Sequence, residues 1–244
     1  MPPRVAPYAQ DFFDLQLHFA RRVAVLSGLP LASVLLDYTN LYVRFGLGRG
    51  FDAAHPVWRE YLDGLERSAD HEGWTYAFYL ARGPEVGPPD VVATVGCFSY
   101  ARAGEGRIRL HFHNAEADGH APLSAQRLAL RRAELHTLFA AVMQLETEPP
   151  QVLGTSWLYH LAAYRGLFPG AYIASATPAG PRFRNMPLWG QFLDRQGQLR
   201  QAPVVAFRHA LALQAGMPGL GECFPLQPLA LEAPASVFFD CYAA

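Results

Sequence analysis

The stretch VVATVGCFSYARAGEGRIRLHFHN, residues 91–114, decides the fold class of this chain. Residues 91–100 are rich in β-branched and aromatic side chains, which favour extended backbone. Residues 107–114 alternate strictly between apolar and basic side chains, as a strand with one buried face does. The AGEG turn between the two segments predicts that they are antiparallel neighbours in a sheet.

A helical region precedes this sheet. Apolar residues recur at helical spacing over residues 11–27 and 31–45, and Pro56 begins a third helix. The segment WTYAFYLA, residues 74–81, is aromatic enough to predict one more strand. We expect it to form a hairpin with residues 91–100 across the Gly- and Pro-rich GPEVGPP loop.

After the sheet segment, Ser124 is expected to cap a long helix that ends near Leu145. The remaining predicted elements are a strand at 151–156, a helix at 157–168, a strand at 171–175, a hairpin at 188–200 and a helix at 203–215. We therefore predict the α+β class, with a mainly antiparallel central sheet flanked by helices and a helical N-terminal third. The domain prediction is a single domain over 1–244, with a helical part at 1–70 and a sheet-containing part at 71–244.

The composition excludes several classes of chemistry. The chain contains no lysine, and all 20 of its Lys+Arg residues are arginine. A Schiff base with pyridoxal phosphate and a lysine-containing P-loop are therefore impossible. The net charge of −1 lacks the basic excess of a nucleic-acid-binding protein, so we expect no nucleic acid partner.

Cysteine usage and hydropathy bear on the location of the protein. Cys97, Cys223 and Cys241 are far apart and form no C-x-x-C pair, which favours a reduced cytoplasm. The apolar stretches are too short to cross a bilayer, and the first residues lack the apolar core of a signal peptide. We predict a soluble, cytoplasmic protein with no membrane partner.

The basic face of the strand at 107–114 is the leading candidate site. Strand alternation places Arg107, Arg109, His111 and His113 on the face opposite the apolar residues. Arginines there would hold the phosphate or carboxylate of a small anionic ligand, and His111 or His113 would serve as a base near neutral pH. The alternative is an ordinary solvent-facing side of an antiparallel sheet.

The same residues permit a metal hypothesis. The His-x-His pair is followed closely by Glu116, Asp118 and His120, and such clusters can bind zinc or iron. The spacing matches no specific ligand signature, so we assign no metal ligand. Metal binding through the His-x-His strand is kept as a third hypothesis.

A second candidate lies on the predicted helix at 31–45. Asp37, Asn40 and Arg44 are three and four residues apart, so they share a face opposite the apolar stripe. Beside the following glycine-rich loop, this face is a candidate ligand-binding surface. Its alternative is a solvated helix face.

A third basic group lies at the start of the predicted long helix. Arg127, Arg131 and Arg132 fall in its first part, where a helix N-terminus also favours negative charge. We include Arg127 among the candidate ligand-binding residues. A solvated basic face is the alternative.

The order of predicted elements over residues 30–175 resembles the GNAT superfamily of acyl-CoA N-acyltransferases. The segment AAYRGLFPGAY, residues 162–172, also resembles that family's helix-end pattern of a Tyr followed by Gly and Phe. The resemblance implies acetyl-CoA or another acyl-CoA as cofactor, with residues 107–114 entering its site. It also implies that Ser124 begins the pyrophosphate-binding helix and that Tyr164 is the general acid.

This chain departs from the family at one motif. The pyrophosphate loop R/Q-x-x-G-x-G/A has no match in ADGHAPLSAQRL, residues 117–128. The glycines of that loop let backbone N–H groups approach the diphosphate. Arginine side chains would replace the missing cradle only in part.

Two classes of function remain open from the sequence. The first is binding of an anionic small molecule, with acyl transfer from coenzyme A as the candidate reaction. The second is a non-catalytic interaction or assembly protein, docking a partner or a second copy as a homo-oligomer. The low charge fraction and aromatic segments such as MPLWGQF favour this second class.

Overall fold

The computed structural model describes residues 8–82, 91–116, 120–180, 183–184 and 186–242. The chain divides into two compact units, each with its own hydrophobic core. Unit 1 comes from residues 1–87 and 181–227, and unit 2 from residues 88–180 and 228–244.

The helices and strands follow one another along the chain. The helices are α1 (Gln10–Ser27), α2 (Leu31–Tyr38), α3 (Leu41–Arg44), α4 (Pro56–Arg67), α5 (His71–Leu80), α6 (Leu128–Leu145), α7 (Ala162–Arg165), α8 (Gly170–Ala174), α9 (Met186–Gly190), α10 (Gln201–Leu213) and α11 (Ser236–Tyr242). The strands are β1 (Val91–Val95), β2 (Phe98–Arg102), β3 (Arg107–Phe112), β4 (Gln151–Ser156), β5 (Thr177–Pro178) and β6 (Leu229–Pro234). Short 3-10 turns occupy Ala125–Arg127, Trp157–His160 and Leu220–Cys223.

Unit 1 contains α1–α5, α9 and α10 around an aromatic core. Phe19 of α1 packs edge-on against Trp189 and Phe224, and Phe45 packs against Tyr61. All five rings are buried. The predicted helices at 11–27 and from Pro56 are therefore confirmed as α1 and α4.

The predicted strand at 74–81 is wrong, because these residues belong to α5. The Asp70 side chain caps this helix by accepting a hydrogen bond from the N–H of Gly73 (2.8 Å). Thr75 and Phe78 then lie on its buried face, at helical spacing. Burial of aromatic side chains in the unit 1 core outweighs their β propensity, which depends strongly on context. The predicted GPEVGPP loop of the hairpin lies outside the described residues.

The predicted helix at 31–45 is broken in two. The backbone at Thr39 is extended (φ −119°, ψ 168°), so α2 ends there and α3 begins after Asn40. The Thr39 hydroxyl donates to the carbonyl of Leu35 (2.5 Å), and the Gln16 side chain accepts from the N–H of Asn40 (2.9 Å). These bonds satisfy backbone groups that the helix break releases.

Asp14 of α1 is a carboxyl group that destabilises unit 1 when it is charged. Desolvation by burial, reinforced by the charges of Glu72, Asp11 and Asp70, raises the pKa of Asp14 to about 6 from 3.8. Since the folded state then holds its proton more tightly than the unfolded state, the free energy of unfolding falls between about pH 4 and 6. We expect Asp14→Asn to raise the free energy of unfolding by about 1 kcal/mol at pH 8, allowing for solvent screening.

Urea unfolding at two pH values checks this expectation. The gain from Asp14→Asn should vanish below about pH 3.5, where the carboxyl group is protonated in both states. Asp63→Asn is a matched control because Asp63 is exposed on α4, and it should change little at either pH. A gain of equal size at low and high pH would contradict the assigned cause.

Unit 2 is built on a sheet with the strand order β1-β2-β3-β4-β6-β5. All neighbouring strands are antiparallel except β3 and β4, which run parallel. The predicted strands at 107–114 and 151–156 are confirmed as β3 and β4. The predicted strand at 91–100 is instead a hairpin of β1 and β2, because Gly96 turns the chain with φ 53°.

Helices cover the apolar face of this sheet. Leu135, Leu138 and Phe139 of α6 and Phe238 of α11 belong to the buried cluster that includes Ile108 of β3. The predicted long helix is confirmed over α6, but its first turn is a 3-10 turn and Ser124 makes no side-chain cap. The predicted strand at 171–175 is wrong, because these residues lie in and just after α8 with Tyr172 buried.

The structure confirms the α+β class, the mainly antiparallel sheet flanked by helices and the helical N-terminal third. Helices α5, α9 and α10 also belong to unit 1. The single domain over 1–244, with its parts at 1–70 and 71–244, stays a prediction. None of the described helices combines the length and apolar character needed to cross a membrane.

Candidate functional site

The basic face of β3 does not form one uniform row. Arg107 is exposed, Arg109 and His111 are half-buried, and His113 lies beyond the end of the strand. The predicted alternation is confirmed, because Ile108 and the next apolar residue of β3 are buried on the opposite face. The assignment of Arg107, Arg109, His111 and His113 to a ligand site stays a prediction.

The neighbours of this basic face are partly sheltered. His111 pairs across the ladder with Ser99, and Arg109 pairs with Ala101 of β2 on one side and Leu153 of β4 on the other. Ser99 and Ala101 are only 6% and 5% exposed. The middle of this face is therefore not a bare solvent-exposed surface.

The parallel strands β3 and β4 are paired over only part of their length. Their pairing ends at Arg109 and Leu153, although β3 continues to Phe112 and β4 to Ser156. On their outer edges, β3 stays paired with β2 and β4 stays paired with β6 to these ends. The last three residues of each strand thus enclose an opening in the sheet, which we call the β3–β4 gap.

Backbone groups of β3 face this gap. The N–H of His113 donates to the carbonyl of Cys97 (2.9 Å), so odd-numbered residues of β3 direct their backbone groups toward the β2 side. Backbone groups alternate along a strand, so the C=O of Leu110 and the N–H of Phe112 point toward β4. Both groups lie beyond the last β3–β4 pair.

Backbone groups of β4 face the gap from the other side. The N–H of Gln151 donates to the carbonyl of Gly106 (2.8 Å), so Gln151 and every second residue after it turn toward β3. The N–H and C=O of Thr155 therefore point into the gap. The gap presents donors and acceptors on both sides, as an open strand edge does.

Three tyrosines lie against the buried side of the gap. Tyr159 and Tyr172 share a hydrogen bond between their hydroxyl groups (2.8 Å). The side chain of Tyr164 is also hydrogen-bonded to that of Tyr159. We call Tyr159, Tyr164 and Tyr172 the tyrosine chain. A Cβ on Gly154 of β4 would overlap the hydroxyl oxygens of Tyr159 and Tyr172, so only glycine fits there. The Phe112 ring packs edge-on against Tyr164 (5.3 Å between centroids).

Tyr164, the predicted general acid, is buried in this cluster with 3% of its surface exposed. Desolvation raises the pKa of Tyr164 and of Tyr159 well above the usual tyrosine value. The hydroxyl of Tyr164 therefore stays protonated across the physiological pH range. Its role as general acid remains a prediction.

A buried charge cluster lies at the start of α6. The guanidinium of Arg131, with 2% of the side chain exposed, lies 2.8 Å from Glu116 Oε1 and 2.9 Å from Glu134 Oε1, and it also contacts the Cys97 thiol. Arg127 Nη2 lies 3.3 Å from Glu116 Oε2, and Glu134 Oε2 accepts from the backbone N–H of Cys97 (3.1 Å). These five residues form what we call the Arg131 cluster.

The Arg131 cluster bears on the anion-binding group that the sequence predicts at the start of α6. The predicted anion beside Arg127 and Arg131 is present, but the chain supplies it as the carboxylate of Glu116. Arg132, the third residue of the group, is exposed and donates to the carbonyl of Gly166 (3.2 Å). Arg127 as a ligand-binding residue stays a prediction, and it would require Glu116 to share or give up this position.

His113 and Cys97 lie at the edge of the cluster. Desolvation lowers the pKa of His113 from 6.5, although the charge of Glu134 acts in the opposite direction. A neutral imidazole at pH 7 can accept a proton, as a general base must. Desolvation raises the pKa of the buried Cys97 thiol, so this residue is protonated and packs as a small apolar side chain.

The candidate residues of unit 1 do not share a surface. Asp37 is exposed and forms an ion pair with Arg184 (3.2 Å), whereas Asn40 and Arg44 are buried, with 0% and 4% exposed. Arg44 Nη1 donates to the hydroxyl of Tyr8 (2.6 Å), and its guanidinium lies over that ring. The helix break at Thr39 rotates Asn40 and Arg44 into the core, so the predicted common face does not form.

The metal hypothesis gains no geometric support from the described residues. Among them, no three His, Cys, Asp or Glu side chains are placed to hold one ion. Asp118, one of the predicted group, lies outside the described residues. Metal binding through His111 and His113 stays a hypothesis.

The sequence does not single out Glu134 or Gly154, and it points to Glu116 only as part of an acidic and histidine-containing cluster. A signal existed for two of them. Arg131 and Glu134 are three residues apart, which is ion-pair spacing on a helix. A glycine inside the β-branched segment QVLGTS suggests close approach of another group. The approach of Glu116 depends on the path of the β3–α6 connection, which local spacing does not reveal.

Comparisons of this chain with protein-family models, with curated proteins and with solved structures find no match.

Proposed function

We propose that unit 2 binds an acyl thioester carried on an extended, amide-bearing arm, as in coenzyme A, and transfers the acyl group to an acceptor. The observation that carries this proposal is the β3–β4 gap. Pairing of the two parallel strands ends three residues before β3 and β4 themselves end. Ligands of α/β sheets bind at such carboxyl ends, where neighbouring strands part.

The chemistry of the gap matches an amide-bearing arm. Such an arm offers N–H and C=O groups along an extended chain, and it pairs with an open strand edge as an added strand does. Leu110 and Phe112 offer an acceptor and a donor from β3, and Thr155 offers both from β4. Exposed backbone polar groups recognise this ligand without a charged side chain.

The basic residues of β3 lie beside this position. His111 and His113 are the candidate bases, and the lowered pKa of His113 leaves it neutral and able to accept a proton at pH 7. A bound acyl thioester supplies an activated carbonyl carbon and a thiol leaving group. The chain supplies the base and the oriented backbone groups, and Arg109 provides positive charge on the same face.

The described residues fit the arm better than the diphosphate of coenzyme A. Arg127 and Arg131 are paired with Glu116, and the glycine-rich loop of the resembling family has no match in this sequence. A diphosphate at this helix start would meet the negative charge of Glu116. We therefore expect S-acetylpantetheine, which lacks the nucleotide, to bind with less than about tenfold lower affinity than acetyl-CoA.

A proline substitution in the gap tests the proposal. Thr155→Pro removes an N–H that points into the gap beyond the last β3–β4 pair, and the preceding Gly154 tolerates the restriction that proline imposes. We expect the dissociation constants of acetyl-CoA and S-acetylpantetheine to rise by about tenfold, as one directed donor is lost. Isothermal titration calorimetry measures both constants, and circular dichroism checks the fold of the variant.

Thr155→Val is the matched control, because it changes the same side chain and keeps the backbone N–H. It should bind both thioesters as the wild type does. Absence of binding of either thioester to the wild-type protein would overturn the proposal. Equal binding by the two Thr155 variants would show that the gap is not the site.

A further inference from the structure

Unit 2 contains a pocket that is distinct from the β3–β4 gap. It lies between the start of β6, the 3-10 turn at Trp157–His160 and helices α7 and α8, and its volume is about 210 Å³. Ile173, Leu229 and Leu231 provide apolar walls, and Tyr159 closes one side. His160 and Arg165 provide the polar part of the lining.

The polar part of the pocket is cationic. Arg165 is exposed, carries a permanent charge, and forms no ion pair with any described residue. None of the residues that line the pocket is acidic. A guanidinium group at the edge of an apolar cavity recognises a carboxylate, because its planar donors match the two carboxylate oxygens.

The volume limits the size of the ligand. A water molecule occupies about 30 Å³ in the liquid, so the pocket has room for roughly seven waters or for one compact ligand of similar volume. Most sites for drug-sized molecules are larger, at about 300–1,000 Å³. The pocket therefore has room for a short aliphatic chain.

We propose that this pocket binds a small carboxylate with a short apolar body, with the carboxylate on Arg165 and the chain against Ile173, Leu229 and Leu231. The binding does not depend on the thioester function of the gap, since Arg165 and the apolar walls of the pocket take no part in the gap. Tyr159 is common to both, because it closes the pocket and belongs to the tyrosine chain. A carboxylate bound here would therefore lie close to the proposed reaction site.

Three probes with six carbons each test the chemistry. Hexanoate has one apolar carbon fewer than hexanol and hexylamine, because its sixth carbon belongs to the carboxylate, so tighter binding of hexanoate cannot come from apolar contacts. We expect hexanoate to bind about tenfold or more tightly than hexanol, and hexylamine to bind most weakly. Titrations followed by ¹H–¹⁵N spectra give each dissociation constant, and backbone shifts at Ile173 and Leu229 locate the ligand.

Two variants test the role of Arg165. Arg165→Gln should weaken hexanoate binding by about tenfold or more while hexanol binding stays unchanged. Arg59→Gln is the matched control, since Arg59 is an exposed arginine of unit 1, and it should leave both unchanged. The proposal is overturned if hexanoate does not bind, if hexanoate and hexanol bind equally, or if Arg165→Gln binds hexanoate as the wild type does. Thioester binding is measured separately, so the two proposals can fail independently.

Discussion

Arg131→Met is expected to lower the free energy of unfolding of unit 2 by about 3–5 kcal/mol, the range found when one partner of a buried ion pair is removed. Methionine fills similar space, but it removes the cation beside Glu134 and leaves Glu116 with only the longer contact to Arg127 (3.3 Å). The side chains of Glu116 and Glu134 are only 7% and 10% exposed, so water cannot take over the role of the cation. The loss is therefore mainly the cost of one uncompensated buried carboxylate, Glu134, and one partly compensated carboxylate, Glu116.

Native-state hydrogen exchange is the appropriate measurement, because a chain of two units need not unfold in one step. The amide of Cys97, bonded to Glu134 (3.1 Å), reports directly on this region. Arg102→Met is the matched control, since Arg102 forms an exposed pair with Glu146 (3.2 Å) and should cost less than about 1 kcal/mol.

Removing the charges together separates their contributions. In Arg131→Met combined with Glu116→Gln and Glu134→Gln, the three buried charges are all removed, and Arg127, which loses Glu116, is 23% exposed to water. We therefore expect more than half of the lost stability to return. A loss below about 1 kcal/mol in Arg131→Met alone would contradict a buried, charged cluster.

Gly154→Ala is expected to lower the free energy of unfolding of unit 2 by about 2–3 kcal/mol. The new methyl group would overlap the hydroxyl oxygens of Tyr159 and Tyr172. Both rings are packed on their other sides, for example against Phe168, so they cannot withdraw without disturbing the core. The smaller gain from reduced unfolded-state entropy, about 0.4–1 kcal/mol, offsets only part of this cost.

A second glycine serves as the control. A Cβ on Gly170 meets no atom within 4 Å, so Gly170→Ala should be neutral or stabilising. Gly154→Ala should also cost less in a background in which Tyr159 and Tyr172 are both phenylalanine, because the overlapping oxygens are then absent. Thermal unfolding of the four proteins in this cycle measures the coupling, and a cost that is unchanged in the double-phenylalanine background would contradict the overlap.

The parts of the fold that the sequence predicts are those with one clear periodicity. The stretch at 107–114 alternates apolar and basic residues, and β3 follows it with Ile108 and Leu110 buried. The segment at 11–27, with apolar residues at helical spacing, forms α1 with nearly the predicted bounds. In both cases a single buried face decides the structure, and the sequence displays that face directly.

The two wrong strand predictions share one cause. Residues 74–81 and 171–175 contain aromatic and β-branched residues with no dominant period, and both segments are helical. Composition favours a strand there, but Phe78 and Tyr172 are buried in separate cores at helical positions. Tertiary burial outweighs a local preference of about 1 kcal/mol or less.

The candidate site was predictable only in part. The basic residues of β3 follow from alternation, whereas the β3–β4 gap depends on where two distant strands stop pairing. The burial of Asn40 and Arg44 depends on a helix break at Thr39, within a segment whose apolar spacing continues unbroken. A pairing between distant segments produces no periodic pattern in the sequence of either segment.

The position of β6 bears on how the chain is made. Residues 229–234, near the end of the sequence, lie between β4 and β5 in the sheet. During synthesis on the ribosome, the edge of β4 that pairs with β6 therefore stays unpaired while more than 70 further residues are added. Unit 2 cannot close before β6 has been synthesised, and until then this edge is open to pairing with another nascent chain.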